Sequence, residues 1–276
     1  MSGPDDWGED ETRRAKAALI STDVPTAARV ADFLYGGQNN FEADRRAGRA
    51  LAKTAASVVD IAPAGLAFQQ RVLRFLVAEA GIRQFLDIGT GLPVVGSAHE
   101  VAQSLAPECR IVYVDSDPMV LAHARALLKS APGGAVGYVD ADVCDPAAIM
   151  AGAAETLDPG RPVAVLLLFA LAYVPGDEAA EVTSALMADA AAGSYLALYH
   201  LASDVDPVLE QAAGEWNTML PAQPITLRSR SEIEGLAAGL ELVEPGVVPI
   251  TDWRPAPGDP SFTRAVPLHA LVARKP

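Results

Sequence analysis

Residues 85–91 read Phe85-Leu86-Asp87-Ile88-Gly89-Thr90-Gly91. A short apolar run, Arg83 to Ile88, carries an aspartate near its end and then meets two glycines one residue apart. Glycine lets the chain turn sharply and lets a ligand approach the backbone. The helix expected next, through Glu100 to Leu105, presents unpaired N–H groups and the positive end of its dipole at its first turn. Such a turn also serves simply to join a strand to a helix, so the fold is decided by what recurs downstream.

The pattern does recur. Val112-Tyr113-Val114-Asp115-Ser116-Asp117-Pro118 closes a second strand, Arg110 to Val114. Pro118 opens a helix that ends near Lys129, with Asp117 as its N-cap. Val139-Asp140-Ala141-Asp142-Val143 follows a third strand, Ala135 to Val139, and a short helix begins after Pro146. The longest apolar run, Val163 to Val174, lies between Pro162 and Pro175. It falls short of the roughly 20 residues of a membrane helix, and Val163 to Ala170 reads as a fourth strand buried on both faces. A helix from Asp177 to Ala191 is broken by Gly193, and Tyr195 to Tyr199 is the fifth strand. A helix from Pro207 to Met219 follows, then a short one with Ser231 and Glu234 as a capping box. Leu240 to Val248 and Ala265 to Ala273 read as the closing strands. Strands alternating with helices predict an α/β fold with a doubly wound parallel sheet. Ligands of such sheets bind beyond the carboxyl ends of the strands.

Upstream of Gly81 the period is helical. A short helix is expected over Glu11 to Leu19. Asp23 is an N-cap candidate with Pro25 in the turn that follows, and Ala27 to Tyr35 continues until Gly36-Gly37 stops it. Phe41 to Val58 shows a charged face at Glu42, Asp44, Arg45, Arg46, Arg49 and Lys53. Pro63 to Ala80 carries Val72, Phe75, Leu76 and Ala80 at helical spacing. Residues 1–80 are expected to form a helical cap belonging to the same unit as a ligand-binding domain over 81–276.

The three strand ends, taken in order, match S-adenosyl-L-methionine (SAM). Gly89, Thr90 and Gly91 suit the methionine moiety, with Asp87 near its amino group. Asp115, with Ser116 beside it, suits the ribose hydroxyls. Asp142, flanked by Ala141 and Val143, suits the adenine amino group. Phe169 and Ala170, at the end of the fourth strand, complete the candidate cofactor site. A dinucleotide fingerprint needs a third glycine at position 94, where Val94 follows Pro93, so an NAD-dependent oxidoreductase is disfavoured. The expected reaction is methyl transfer to a small-molecule acceptor, leaving S-adenosyl-L-homocysteine (SAH). Alignment supplies much of the rate in such a displacement, so a general base is optional. His200 and Tyr173 are the catalytic candidates. Tyr199 and the segment Tyr35, Gly36, Gly37, Asn39, Asn40 and Phe41 are candidates for the acceptor wall and a lid. The rival on the same fold is a non-catalytic SAM or SAH sensor or partner-binding protein. No metal-ligand spacing, Walker loop or Ser-His-Asp arrangement is present.

The chain resembles a family of bacterial SAM-dependent methyltransferase-like proteins, long treated as a domain of unknown function. The segments that carry the resemblance are Pro25 to Asp44 (PTAARVADFLYGGQNNFEAD), Gly81 to Pro93 (GIRQFLDIGTGLP), His99 to Gln103 (HEVAQ), Val112 to Pro118 and Leu240 to Gly246 (LELVEPG). The resemblance implies a Rossmann-like, seven-stranded methyltransferase sheet whose last strand is antiparallel, with the helical cap part of the same unit. It implies no substrate. Ala172-Tyr173 stands where the family pattern leads one to expect a histidine after the fourth strand.

Composition agrees. The 276 residues are half hydrophobic and carry a formal charge of -14. A surface that acidic repels phosphate backbones and anionic lipid, so neither nucleic acid nor membrane is an expected partner, while a sulfonium cation is well suited. Cys109 and Cys144 read as free thiols of a reducing compartment. Met1 to Arg14 is polar and lacks the apolar core of a signal peptide, so a cytoplasmic location is expected. Oligomeric state is not legible.

Overall fold

A computed structural model describes residues 21–276; the helix expected over Glu11 to Leu19 lies outside the described residues. Three helices lead: α1 (Ala27–Leu34), α2 (Glu42–Thr54) and α3 (Val58–Ala78). The alternating part follows as β1 (Gln84–Ile88), α4 (Ala98–Leu105), β2 (Arg110–Asp115), α5 (Pro118–Leu127), β3 (Ala135–Asp140), α6 (Pro146–Ala153), β4 (Ala164–Leu168), a 3₁₀ turn (Ala170–Tyr173), α7 (Glu178–Asp189) and β5 (Tyr195–Leu201). The chain closes with α8 (Leu209–Met219), α9 (Arg230–Gly235), β6 (Glu241–Leu242), β7 (Val248–Pro249) and β8 (Leu268–Arg274).

The sheet order is β3-β2-β1-β4-β5-β8-β6, and β7 also pairs with β8. β1 to β5 run parallel, and β8 enters antiparallel between β5 and the edge. The order reverses between β1 and β4, which places the switch point beside the Gly89 turn. The edge expected as one strand over Leu240 to Val248 is two short pieces, β6 against Ala273–Arg274 and β7 against His269–Ala270. Pro245, which has no N–H to pair, and Gly246 at φ 82° separate them. Eight strands therefore occupy seven positions.

Residue parity assigns the two faces. Phe85, Ile111, Leu166 and Ala197 pack with Val30, Leu51, Phe68 and Val72 of the N-terminal helices. Leu86, Val112, Val165 and Leu198 pack with Ile149 of α6 and Val182 and Leu186 of α7. The N-terminal helices thus share one core with a face of the sheet.

Several local expectations shift. α1 is preceded by Thr26, not Asp23, as its N-cap. The Thr26 N–H donates to Asp44 Oδ1 (3.1 Å) and the Ala27 N–H to Gln223 Oε1 (2.9 Å), so tertiary acceptors serve this helix start. α3 begins at Val58, with Pro63 inside it near its start. The capping box before α9 is Ser229 with Glu232, one S-x-x-E earlier than expected, and it seats Ile233 in the core.

The largest departure is Asp44. It reads as part of a charged face, yet it is fully buried. Its Oδ2 accepts from Arg29 Nε (3.0 Å) and from the Phe41 N–H (2.8 Å), while its Oδ1 takes Thr26. One carboxylate therefore starts α2 and ties α1 to it. Asp32 does similar work in the connecting loop, accepting from the Asn39 N–H (2.8 Å) and Asn40 Nδ2 (2.7 Å). Removing Asp44 leaves the buried Arg29 guanidinium without its ion partner. Asp44→Ala is expected to lower unfolding stability by about 3–5 kcal/mol, read from denaturant midpoints. A loss within about 0.5 kcal/mol, the range of ordinary surface substitutions, would contradict this account.

Candidate functional site

The site is assembled where β1, β2, β4 and β5 end. Gly89 (φ 70°) and Gly91 (φ 66°) both adopt the left-handed conformation that favours glycine. Gly89 is also a close-approach position, since a Cβ there would lie 2.6 Å from the Ala170 Cβ. Gly91 differs, because a Cβ there would meet nothing within 4 Å. The N–H groups of Gly89 (2.8 Å) and Thr90 (3.3 Å) donate to the Val114 carbonyl, and the Gly91 N–H donates to Asp115 Oδ2 (3.0 Å). The turn is thus tied to the end of β2, with open space over its second glycine.

Asp87 and Asp115 share the sheet face that packs against the N-terminal helices, by the parity of Phe85 and Tyr113. Asp87 is buried, and burial pushes its carboxyl up to about 7, with the nearby Asp115 charge adding to the shift and a Thr90 hydrogen bond opposing it. Burial likewise pushes Asp115 up to about 6, opposed by the Asp117 and Gly91 N–H groups. Among the described residues neither carboxyl has an ion pair, and no cation is among the main causes of either shift. Asp117 takes the cap role expected of it, accepting from the Met119 N–H at 2.8 Å.

Asp142 is exposed past the end of β3, where its carboxylate accepts the Cys144 N–H (2.9 Å). Ser116 is exposed beside Asp115, and Ala141 and Val143 are half-buried.

Past β4, Phe169 has φ 82°, a left-handed conformation that is an outlier for a bulky side chain. The Tyr199 carbonyl accepts its N–H at 3.2 Å. Its ring meets those of Tyr173 (5.8 Å between centroids) and Tyr199 (6.2 Å). Tyr199 also stands edge-on to Phe68 of α3, and a Cβ at Gly65 would lie 2.6 Å from its hydroxyl. The Tyr35 hydroxyl lies near enough to that of Tyr199 for each to act on the other's proton, although much of the Tyr35 side chain is exposed. Burial raises the phenol pKa of all three tyrosines. Tyr173 feels the charge of Asp115, and Tyr199 that of Asp87. The candidate lid and strand-end residues therefore meet through Tyr35.

Other candidates hold their own loop together. Gly37 has no room for a side chain, since a Cβ would fall 2.2 Å from Asp32 Oδ1. Asn40 is buried, its Nδ2 donating to Asp32 and to the Gly37 carbonyl (2.9 Å) and its Oδ1 accepting from Arg45 (3.1 Å). Asn39 anchors through its backbone, Gly36 (φ 77°) ends α1, and Phe41 lies under the Arg29 guanidinium.

His200 is not brought into the site. β5 runs two residues further than expected, so His200 lies within it and faces the opposite side of the sheet from Tyr199. It is fully buried, with Nδ1 2.9 Å from the Leu201 carbonyl and Nε2 2.6 Å from Arg228 Nη1. Burial lowers its pKa to about 4. The same Arg228 guanidinium donates to the Leu171, Val174 and Gly176 carbonyls (2.9, 2.7 and 2.8 Å). His200 and Arg228 together shape the segment after β4, a positioning device with no motif to announce it.

The two raised carboxyls make the stability sign explicit. Between the unfolded value near 3.8 and the folded values of about 6 and 7, the folded chain holds more protons than the unfolded one. Stability from these groups is therefore greatest at low pH and falls as pH rises through that window. Asp87→Asn is expected to remove most of the dependence and to be more stable than the parent at pH 8 by about 1–3 kcal/mol. Urea unfolding at pH 5 and pH 8 checks this, and an unchanged slope in the variant would refute it.

Comparison with known proteins adds the following. A family model described as S-adenosyl methyltransferase matches residues 13–276. A DUF574 family protein from Streptomyces avermitilis MA-4680 is 38% identical, with a TM-score of 0.88, over 92% of this chain and 99% of that one. A Thermobifida fusca YX protein provisionally assigned as a methyltransferase is 40% identical, with a TM-score of 0.84, over 92% and 96%. The plantazolicin methyltransferase BpumL, solved with SAH, shares the fold at 12% identity and a TM-score of 0.51, over 90% and 95%. None of the curated proteins compared matches this chain.

Proposed function

This chain belongs to the S-adenosyl methyltransferase family, and on that premise we propose that it transfers the methyl group of SAM to a small-molecule acceptor held between the ends of β4 and β5 and the Tyr35–Phe41 loop. The observation that carries this reading is the pair of carboxyls, Asp87 buried and Asp115 half-buried, beside the open space over Gly91 with no ion partner among the described residues. Buried charges are ordinarily paired, so this site fits a ligand that brings its own cation and hydroxyl donors.

In this reading Asp87 takes the methionine ammonium, while the Gly89–Thr90–Gly91 turn lies along the methionine moiety. Asp115 accepts from the ribose hydroxyls with Ser116 alongside, and Asp142, Ala141 and Val143 line the adenine. Phe169 and Ala170 close the side nearest β4. Bound there, SAM supplies an electrophilic methyl group on a sulfonium, open to in-line displacement.

The chain's own residues then align the acceptor and exclude water. Tyr173 and Tyr199 stay protonated, since burial raises both; they serve as hydrogen-bonding hydroxyls and aromatic walls, not as phenolate bases. His200, committed to Arg228 and Leu201, supplies no base. The acceptor atom is therefore not deprotonated by His200. Among the described residues no single helix is long and apolar enough to cross a membrane.

SAM and SAH are expected to bind in the micromolar range, about -8 kcal/mol, and NADH is not expected to compete. Asp115→Ala should weaken SAH by about 1–3 kcal/mol through lost charge-assisted hydrogen bonds. Asp117→Ala should leave affinity nearly unchanged and cost only helix-cap stability. Titrations that rank these two variants the other way would move the ribose site off Asp115.

The lid is tested separately. Tyr35→Phe keeps the ring and removes the link to Tyr199. SAH is expected to protect the amides of residues 35–41 from hydrogen exchange in the parent, with protection lost in the variant. Equal exchange with and without SAH in the parent would remove the loop from the site.

A further inference from the structure

At the end of the sheet where the parallel strands begin, opposite the glycine turn, lies a cleft of about 270 Å3. Its wall includes Arg83, Arg161 and Arg274, and no aspartate or glutamate lines it. In a chain of formal charge -14, three guanidiniums around one cleft need a reason. One ordinary reason is that cations complement the negative ends of helices. Lys275 does this for α7, its Nζ donating to the Met187, Ala188 and Ala190 carbonyls (2.7, 2.9 and 2.7 Å). Arg83 does it in part for α3, with Nη1 on the Val77 carbonyl (3.0 Å) and Nε on Glu108 (2.7 Å).

That reason does not extend to the other two. Among the described residues the Arg274 guanidinium has one exposed contact, with Glu241 at 3.4 Å, a class of pair worth little. Arg161 is exposed, and its side chain makes no hydrogen bond or ion pair among the described residues. Its backbone is nevertheless held in place. Gln84, buried at the start of β1, accepts the Asp158 N–H (2.6 Å) and donates to the Asp158 (3.0 Å) and Arg161 (3.3 Å) carbonyls. A buried amide thus straps down the loop that carries the uncommitted guanidinium.

Gln84 and Arg161 also line a second cavity of about 230 Å3, whose wall is largely apolar, with Leu86, Met150, Leu157 and Val163, and which carries Asp158 and Asp189 as its acids. The two cavities therefore adjoin through the same two residues, one cationic and one apolar.

We propose that this paired cleft binds an amphiphilic organic anion, its carboxylate or phosphate among Arg83, Arg161 and Arg274 and its apolar body in the adjoining cavity. Guanidinium forks suit both head groups. The site lies at the opposite end of the sheet from the SAM residues, so it holds a ligand other than the methyl donor or acceptor.

The test is calorimetry on the full chain with decanoate and decyl phosphate, using inorganic phosphate and decanol as head-only and tail-only probes. Saturable binding of at least one of the two amphiphiles is expected, weakening as salt is raised, and the tighter of them identifies the head group. Arg161→Gln should weaken it by roughly tenfold, about 1.4 kcal/mol, and Arg161→Gln/Arg274→Gln further, with an unchanged melting temperature showing that the fold is intact. The proposal is overturned if neither amphiphile saturates, if Arg161→Gln binds as the parent does, or if decanol binds as tightly as the tighter amphiphile. Inorganic phosphate binding as tightly as decyl phosphate would overturn the amphiphilic assignment.

Discussion

Two carboxylic acids held at the ends of neighbouring parallel strands, without an ion partner among the described residues, set the terms for this protein. Asp87 and Asp115 lie at the carboxyl ends of β1 and β2, and both are pushed well above the ordinary carboxylate range by burial. A fold does not keep such groups for stability, because each lowers it once ionised. The cost makes sense when the partner is supplied from outside. The glycine turn completes the arrangement, since the Gly91 N–H is fastened to one of the two carboxyls and leaves open space on its far side.

The N-terminal helices are the second half of the same design. They cover the face of the sheet on which both carboxyls lie, and a buried polar framework of Arg29, Asp32, Asn40 and Asp44 holds them in register. At the site these helices meet Tyr199, through Phe68 and Gly65 of α3 and through the nearby Tyr35 hydroxyl. Gly37 is fixed against Asp32, whereas Gly36 has free space where a side chain would be. The loop is therefore anchored at its base and open at its tip, a construction suited to closing over a ligand.

Much of this was legible in the sequence. Strand ends announce themselves by apolar runs meeting Asp and Gly, so Asp87, Gly89, Gly91 and Asp115 were readable by position, and Asp117 by the proline after it. The edge strand failed where Pro245 and Gly246 interrupt an otherwise apolar stretch. Asp44 was misread because charge at helical spacing ordinarily means a solvated face, and its burial depends on Arg29, Thr26 and Phe41 coming from outside the helix. His200 was misplaced for a different reason. Strand termini are uncertain by a residue or two, and on a strand one residue of parity exchanges the site face for the opposite one. Arg228, far along the chain and in no motif, gave no sequence signal at all.

The central claim is that the site's two carboxyls are completed by the methyl donor's charge and hydroxyls. It is tested most directly by calorimetry of SAM binding near pH 6.5 in two buffers of different ionisation enthalpy. Carboxyls poised at about 6 and 7 must give up protons when a cationic ligand binds their ionised forms. The account predicts net proton release in the parent, reduced in Asp87→Asn. Binding with no buffer dependence, or with proton uptake, would contradict it.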